Sequence, residues 1–385
     1  MPYLNRYFQS VAYCAALVLT LFSVGAFAQP LTFQFSPGVQ VSSVNNAMIQ
    51  MGGAVQTTLP AQNKVVTTLA SKSKGAALDG PQGITTDGVN LYVTDPIANS
   101  ISKIAIATGV VTRIAGSPAT QAWGYEDGPG TVANFKRPQG ITTDGKNLYV
   151  ADTFNHVIRK IVIATGVVST LSGRWSTSGA VGSDDGPAKD ASFNAPRGIT
   201  TDGTHLYVSD SGNHTVRKIV IATGEVSTLA GTPSVVGSAD GIGPAASFDS
   251  LTGITTDGTS VFVADAKNNS IRRIIIATGA VTTLAGQAGT FGSEDGIGTR
   301  ARFTGPYGLV TDGSHVFVAD AFNHTIRRIV IATGVVTTVA CLPGVPGRAD
   351  GLARGATFSR PGSITNDGNY LYVTDTQNGA IRIVE

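Results

Sequence analysis

One unit occurs six times in this chain, and this repetition limits the possible folds more than any other feature of the sequence. The copies start at residues 81, 138, 196, 251, 306 and 361, so consecutive starts lie 55 to 58 residues apart. They begin as PQGITTDGVNLYVTD, PQGITTDGKNLYVAD, PRGITTDGTHLYVSD, LTGITTDGTSVFVAD, PYGLVTDGSHVFVAD and PGSITNDGNYLYVTD. A period of this size is typical of repeat architectures, in which each unit buries its apolar surface against its neighbours.

Each complete copy predicts four short antiparallel strands. In the second copy, residues 140–144 and 147–152 flank an Asp-Gly pair, which is a strong hairpin signal between β-branched and aromatic runs. Residues 157–163 and 167–173 read as two further strands joined by a Thr-Gly turn. The third strand is apolar on both faces, as expected where sheets cover one another, and the first is rich in small Thr and Gly. These features favour a β-propeller, which leaves only short sheet edges.

The two ends of the chain complement each other. The sixth copy stops at Glu385, within its third strand, and has no fourth. Residues 63–71 read NKVVTTLAS, which matches the fourth strand of other copies but has no first three. In a ring these two ends can pair and remove both exposed edges. We therefore predict an all-β fold over residues 63–385: a six-bladed β-propeller of four-stranded antiparallel blades, in which the N-terminal strand completes the last blade.

Composition excludes some classes of protein. The 385-residue chain has 42% hydrophobic residues, 47 glycines and a formal charge of +2. This is a globular composition rich in turns, and it is too apolar for a disordered chain. The near-neutral charge argues against nucleic-acid binding, which usually needs a concentrated basic face.

The first 28 residues have the pattern of a secretory signal peptide. Arg6 precedes the apolar run VAYCAALVLTLFSVGAFA, which ends in small residues, and this predicts cleavage between Ala28 and Gln29. The alternative is an uncleaved membrane anchor. Cleavage would remove Cys14 and leave Cys341 without a disulfide partner. We expect a secreted or periplasmic protein with no membrane span after cleavage, and we interpret residues 29–62 as a linker or extension.

A motif at the turn between the second and third strands resembles the NHL repeat. It reads DTFNHVIRKI at 152–161, DSGNHTVRKI at 210–219 and DAFNHTIRRI at 320–329. The resemblance extends from about residue 64 to residue 385 and implies the six-bladed propeller fold of exported bacterial proteins of this type. It leaves the function open, because similar propellers include binding platforms, sensor domains, a metal-dependent peptide lyase and sugar lactonases.

Residues that recur in every blade are more simply explained by the construction of the blade than by one active site. An aspartate ends each second strand, and five blades carry an arginine seven residues later, which predicts a repeated ion pair. Three histidines share one turn position and could in principle hold zinc. That turn is expected towards the outside of the ring, so we predict neither a metal site nor a cofactor. The histidines are His156, His214 and His324.

The loops before the first strands differ from blade to blade. They share an Asp-Gly turn and an Ala-x-Phe turn, whose phenylalanine we expect to fill the cleft between blades. Aromatic side chains on loops of a rigid scaffold are good binding anchors, and arginines lie nearby; the alternative is that the aromatics cover their own blades. The predicted binding residues are Trp123, Tyr125, Arg174, Trp175, Phe291 and Arg302.

The sequence supports two functions from different classes. The favoured one is a non-catalytic, monomeric binding propeller that recognises a protein, peptide or glycan through the face that carries the long loops. The alternative is a metal-dependent lyase or lactonase with its site at the mouth of the central channel, which requires converging His, Asp, Glu or Asn side chains. The first strands offer Thr and Gly there, and we predict no catalytic residues.

Overall fold

The computed structural model describes residues 64–117, 123–174 and 180–385. The predicted signal peptide (1–28) and the predicted linker (29–62) lie outside the described residues. Strands account for nearly all regular structure, together with short 3₁₀ turns at Lys72–Lys74, Gly243–Ala245, Gly298–Arg300 and Thr376–Asn378. Within these ranges no helix is sufficiently long and apolar to span a membrane.

The strands fall into six antiparallel sheets, or blades, numbered from the first unit. After β1 (Val65–Ser71), the first blade comprises β2 (Ile84–Thr86), β3 (Asn90–Asp95), β4 (Ser100–Ala105) and β5 (Val111–Ala115). The second comprises β6 (Pro138–Thr143), β7 (Asn147–Asp152), β8 (Val157–Val162) and β9 (Val168–Ser172). The third comprises β10 (Pro196–Thr201), β11 (His205–Asp210), β12 (Thr215–Val220) and β13 (Val226–Ala230). Each is a four-stranded meander in chain order, as the sequence predicts.

The last three blades each gain a two-residue strand at the outer edge. The fourth blade contains β14 (Gly241–Ile242), β15 (Leu251–Thr256), β16 (Ser260–Asp265), β17 (Ser270–Ile275) and β18 (Ala280–Gly286). The fifth contains β19 (Gly296–Ile297), β20 (Pro306–Thr311), β21 (His315–Asp320), β22 (Thr325–Val330) and β23 (Val335–Ala340). The sixth contains β24 (Gly351–Leu352), β25 (Pro361–Asn366), β26 (Leu371–Asp375) and β27 (Ala380–Val384). The extra strand pairs with two residues of the outermost strand of its blade and so shields part of that exposed edge.

The N-terminal strand completes the sixth blade. Strand β1 pairs antiparallel with β27, in the register Val66↔Val384 and Thr68↔Arg382, and the sheet order is β24-β1-β27-β26-β25. The backbone N–H of Glu385 donates to the carbonyl oxygen of Val65 at 3.0 Å. The predicted closure of the ring by the chain ends is therefore confirmed.

Neighbouring blades pack through one apolar core each. The six cores join consecutive blades around the ring, including the sixth to the first. A fully buried phenylalanine of the long loop lies in five of them, and Leu78 takes that place before the first blade. These phenylalanines are Phe135, Phe193, Phe248, Phe303 and Phe358. The prediction that they fill the clefts between blades is confirmed.

The first strands surround a narrow channel. In the Pro-x-Gly motif, a Cβ atom placed on Gly140 would lie within 3.0 Å of the carbonyl oxygen of Arg197 in the next blade. Glycines 83, 198 and 253 are equally close to their neighbours' carbonyl groups. At these positions the inner strands converge too closely for a Cβ atom, and the sixth blade alone has a serine, Ser363, at the equivalent place. The channel encloses about 170 Å³ and is lined by Ile, Leu, Val, Thr, Ser and Gly residues of these strands.

The Asp-Gly turns close the blades on the opposite side from the long loops. In the second blade, the Asp144 carboxylate accepts the backbone N–H groups of Lys146 and Asn147 at 2.8 and 2.6 Å and the Tyr149 hydroxyl at 2.8 Å. Partial burial alone would raise the pKa of Asp144, but these hydrogen bonds outweigh it and lower the pKa to about 2. The carboxylate thus holds the hairpin in place in its ionised form.

Candidate functional site

A buried ion-pair network uses most of the repeated polar residues. Arg159 contacts the Asp152 carboxylate at 2.9 Å and the Asp127 carboxylate of the long loop at 2.7 Å, while its guanidinium lies 5.0 Å from the centre of the Phe135 ring. Asp127 in turn accepts the N–H of Thr170 in the outer strand at 2.9 Å. This network fastens the long loop to the blade that follows it. The same network is built around Arg217, Arg272, Arg327 and Arg382.

The aspartates that end the second strands are structural groups with no access to solvent. Burial raises the pKa of Asp210 and Asp320 to about 6, and the arginine beside each opposes this by favouring the ionised carboxylate. Both carboxylates are completely buried, so no substrate can reach them. The first blade lacks the arginine: Ser102 faces the same strand position, and Asp95 accepts backbone N–H groups of the preceding loop instead.

The histidines at the NHL turn connect each blade to the next. Nδ1 of His156 accepts the N–H of Ala195 at 2.9 Å, and Nδ1 of His324 accepts the N–H of Arg360 at 3.0 Å. Burial, with a smaller contribution from Lys136, lowers the pKa of His156, in agreement with a neutral ring whose Nδ1 is an acceptor. His214, Asn99 and Asn269 make the equivalent bond in their blades. Within the described ranges, no three His, Cys, Asp or Glu side chains lie close enough together to hold a metal ion.

Two of the predicted binding residues belong to a set of exposed apolar side chains, which we call the apolar rim. In five loops a glycine donates its N–H to the carbonyl oxygen of the buried phenylalanine and accepts an asparagine side chain from the NHL turn, as Gly124 does with Phe135 and Asn155. The residue before this glycine projects outward. The apolar rim consists of Trp123, Val181, Val236 and Phe291, which are 66%, 58%, 58% and 76% exposed.

The rim residues are distributed around the long-loop face. Trp123 belongs to the loop of the second blade and Phe291 to that of the fifth, three blades away around a ring of six. They therefore lie on opposite sides of the channel. The Trp123 ring also carries the Lys136 ammonium group 4.8 Å from its centre.

The other predicted residues have different surroundings. Arg174 is exposed and forms a 3.3 Å ion pair with Asp184. Arg302 donates to Thr299, Ala301 and Gln287, so its guanidinium is occupied within its own loop. Tyr125 is half-buried. Trp175 lies outside the described residues, and its role in binding stays a prediction.

The channel mouth on the long-loop face carries a second set of side chains that sequence reasoning missed. The middle residue of each Pro-x-Gly motif points to this end of the channel, and it differs between blades. These residues are Gln82, Gln139, Arg197, Thr252, Tyr307 and Gly362. All except Gly362 line a small cavity of about 30 Å³, together with Ser363. The Tyr307 hydroxyl donates to Oε1 of Gln139 at 2.7 Å, which joins the fifth blade to the second across the mouth.

Both missed sets leave a signal in the sequence. Each rim residue precedes a buried phenylalanine by 12 positions, as 135 − 123 and 193 − 181 show, so Val181 and Val236 could have been found by aligning the loops on Phe. The mouth residues are the variable position inside an otherwise repeated motif. A position that changes while its neighbours repeat is free of the demands of blade construction.

The fold and these surfaces define a closed six-bladed β-propeller that carries two sets of blade-specific side chains, the apolar rim and the channel mouth, on its long-loop face. No family model matches the chain. Among curated proteins, it is similar to the chloroplast protein SUPPRESSOR OF QUENCHING 1 of Arabidopsis thaliana (31% identical, 68% of this chain, 26% of the relative) and to human NHL repeat-containing protein 2 (28% identical, 68% of this chain, 40% of the relative). The chain belongs to the NHL-repeat propellers, and it spans less than half the length of these relatives.

Solved structures support the fold alone, because their sequences are distant. An auxiliary nutrient binding protein from Bacteroides thetaiotaomicron superposes with a TM-score of 0.61 at 16% identity, over 84% of this chain and 76% of the other. Virginiamycin B lyase from Staphylococcus aureus superposes with a TM-score of 0.51 at 15% identity, over 83% of this chain and 99% of the other.

Proposed function

We propose that this chain is an exported, non-catalytic binding propeller that recognises a protein, peptide or glycan through its long-loop face. One observation carries the proposal: the repeated polar residues are bonded within and between blades, whereas two sets of side chains that vary between blades, the apolar rim and the channel mouth, lie on this face. Export and a monomeric state are part of the proposal, and the apolar run at residues 11–28 supports export.

The apolar rim supports recognition of an extended partner surface. Four apolar side chains stand more than half exposed at equivalent loop positions, and each is held by hydrogen bonds of the adjacent glycine. A rigid loop loses little conformational entropy on binding, so such side chains are suitable anchors. The distant nutrient-binding structure shows that the same fold is compatible with a binding role, without indicating a ligand.

The metal-dependent alternative has less support from the channel. The described channel and mouth linings contain Gln, Arg, Tyr, Thr and Ser but no Asp, Glu or His. A lyase or lactonase site would need such groups to hold a metal ion or transfer a proton. Metal analysis of the purified full chain separates the two functions, since one tightly held divalent ion per molecule would favour the enzyme.

Tryptophan fluorescence tests the binding proposal directly. The chain has two tryptophans, Trp123 and Trp175, and both belong to long loops. We expect a glycan or peptide found by screening the immobilised protein to shift the emission to shorter wavelength, because it covers an indole that is now largely exposed to water. The Trp123→Ala and Phe291→Ala variants should bind such a ligand roughly 10-fold or more weakly if these side chains are central anchors.

A matched control lies on the opposite face. Val89 follows the Asp-Gly turn of the first blade and is 70% exposed, so Val89→Ala removes a similar exposed side chain from the other end of the channel. This variant should bind as the wild type does. If the affinity for the ligand were unchanged in both rim variants and lost in Val89→Ala, recognition would lie on the opposite face and the proposal would be contradicted.

A further inference from the structure

The channel mouth contains an arginine with no partner. The Arg197 side chain is half-buried, and its Nε atom has no solvent contact and no hydrogen-bond partner in the described structure. The five core arginines also leave Nε unbonded, but each uses both terminal nitrogens to bind two carboxylates. Over residues 64–117, 123–174 and 180–385, no ion pair or side-chain hydrogen bond engages Arg197. The buried Nε–H group of Arg197 thus loses its hydration without gaining a hydrogen bond from the protein.

Other donors at the mouth are also unused. Tyr307 donates to Oε1 of Gln139, and this bond fixes the amide with its NH₂ group as the remaining donor. In the described structure, neither that NH₂ group nor that of Gln82 donates to the protein. The Ser363 hydroxyl stands where the other blades have glycine, and it lines the same cavity. The mouth therefore presents one cation and several neutral donors.

No negative charge balances this arrangement within the cavity. The described lining of the mouth and of the channel below it contains no carboxylate. The positive charge of Arg197, with no carboxylate in the described lining around it, attracts an anion to the mouth.

From this geometry we propose that the mouth is a binding site for the carboxylate group of a ligand, with Arg197 as its charged partner and the Gln82 and Gln139 amides as further donors. The volume of about 30 Å³ fits a carboxylate, about twice the space that one water needs, but not a whole sugar or amino acid. The rest of the ligand would extend over the long-loop face. This site is distinct from the apolar rim, and the proposal holds whether or not the rim binds a partner.

A titration of the arginine side-chain N–H signals by NMR tests the proposal. The probes are N-acetylglycine and its neutral amide, added to ¹⁵N-labelled full chain at constant ionic strength. We expect N-acetylglycine to shift the Arg197 Nε–H signal in a saturable way, because the carboxylate accepts from the guanidinium, and the amide to leave it unchanged. In Arg197→Gln the carboxylate should bind roughly 10- to 100-fold more weakly, as expected for a lost charge-assisted hydrogen bond.

Two further variants separate a local effect from a general one. Arg354→Gln removes the same charge from an exposed loop position, and binding should be unchanged. Tyr307→Phe keeps the ring but releases the Gln139 amide, and binding should weaken. Trp123→Ala should leave the Arg197 shift intact, which distinguishes this site from the rim.

Three outcomes would overturn the proposal. They are an equal response to the acid and the amide, loss of binding in Arg354→Gln as large as in Arg197→Gln, and saturable binding of inorganic phosphate in place of the carboxylate. Thermal unfolding of each variant shows that it is folded. Arg197→Gln should unfold at or above the wild-type temperature, since it removes a charge that nothing in the described structure compensates.

Discussion

The closing strand should contribute to stability as fully as any internal strand, and Val66 tests this. Val66 is fully buried in the core between the fifth and sixth blades, beside Val384. Val66→Ala removes two buried methyl groups and leaves a cavity, which costs about 2 kcal/mol of unfolding free energy. For a domain of this size, that corresponds to a fall of about 4 °C in Tm.

The repeat supplies a matched control for this measurement. Val281 occupies the same place in the outer strand of the fourth blade, is equally buried and likewise pairs with a short edge strand. Because the two environments match, Val66→Ala and Val281→Ala should lose the same free energy in urea unfolding followed by circular dichroism, with unchanged m values. If β1 instead frayed before the ring unfolded, Val66→Ala would cost almost nothing. A Val66→Ala cost below about 0.5 kcal/mol beside a full cost for Val281→Ala would refute the reasoning.

Three further predictions concern the inner strands, the turns and the closing strand. Gly140→Ala should destabilise the domain by about 2 kcal/mol or more, because its Cβ would clash with the Arg197 carbonyl. Ser363→Gly, at the equivalent position of the sixth blade, should be tolerated. Equal thermal stability of Gly140→Ala and wild type would contradict this prediction. Asp144→Asn should lose about 1 kcal/mol at pH 7, a value reduced for solvent screening. The folded pKa of about 2 is below the reference value of 3.8, so the ionised carboxylate stabilises the fold above about pH 4. The difference in unfolding free energy between Asp144→Asn and wild type should therefore narrow as the pH falls towards 2. A difference that does not depend on pH would count against the turn hydrogen bonds. Deletion of residues 29–70 should leave a three-stranded sixth blade that aggregates or melts far below the wild type, and an unchanged melting curve would show that β1 is dispensable.

Much of the fold follows from the sequence because the repeat multiplies weak signals. A single Asp-Gly pair between apolar runs is a modest hairpin indication, but six at one period predict both the meander and the number of blades. The closing strand was predictable because residues 63–71 complete what the sixth copy lacks. The arginine and aspartate of the five blades other than the first could be paired in advance, since they recur seven residues apart.

The candidate site was predicted only in part. Aromatic type drew attention to Trp123 and Phe291, but not to the valines at the same loop position, because valine is normally a core residue. The sequence also gave no sign that the two loop arginines have different partners. Arg302 forms hydrogen bonds within its own loop, whereas Arg174 forms an ion pair with Asp184. The binding role predicted for Trp175, which lies outside the described residues, stays a prediction.

Local patterns determined the strands, turns and blade order by themselves, because these depend on residues close together in the chain. Only the tertiary structure decided which side chains meet at the channel mouth. Gln139 and Tyr307 are 168 residues apart, yet ring closure brings the second and fifth blades face to face across the axis and lets the two side chains bond. Curvature of the whole ring sets that distance, and no short segment of sequence encodes it.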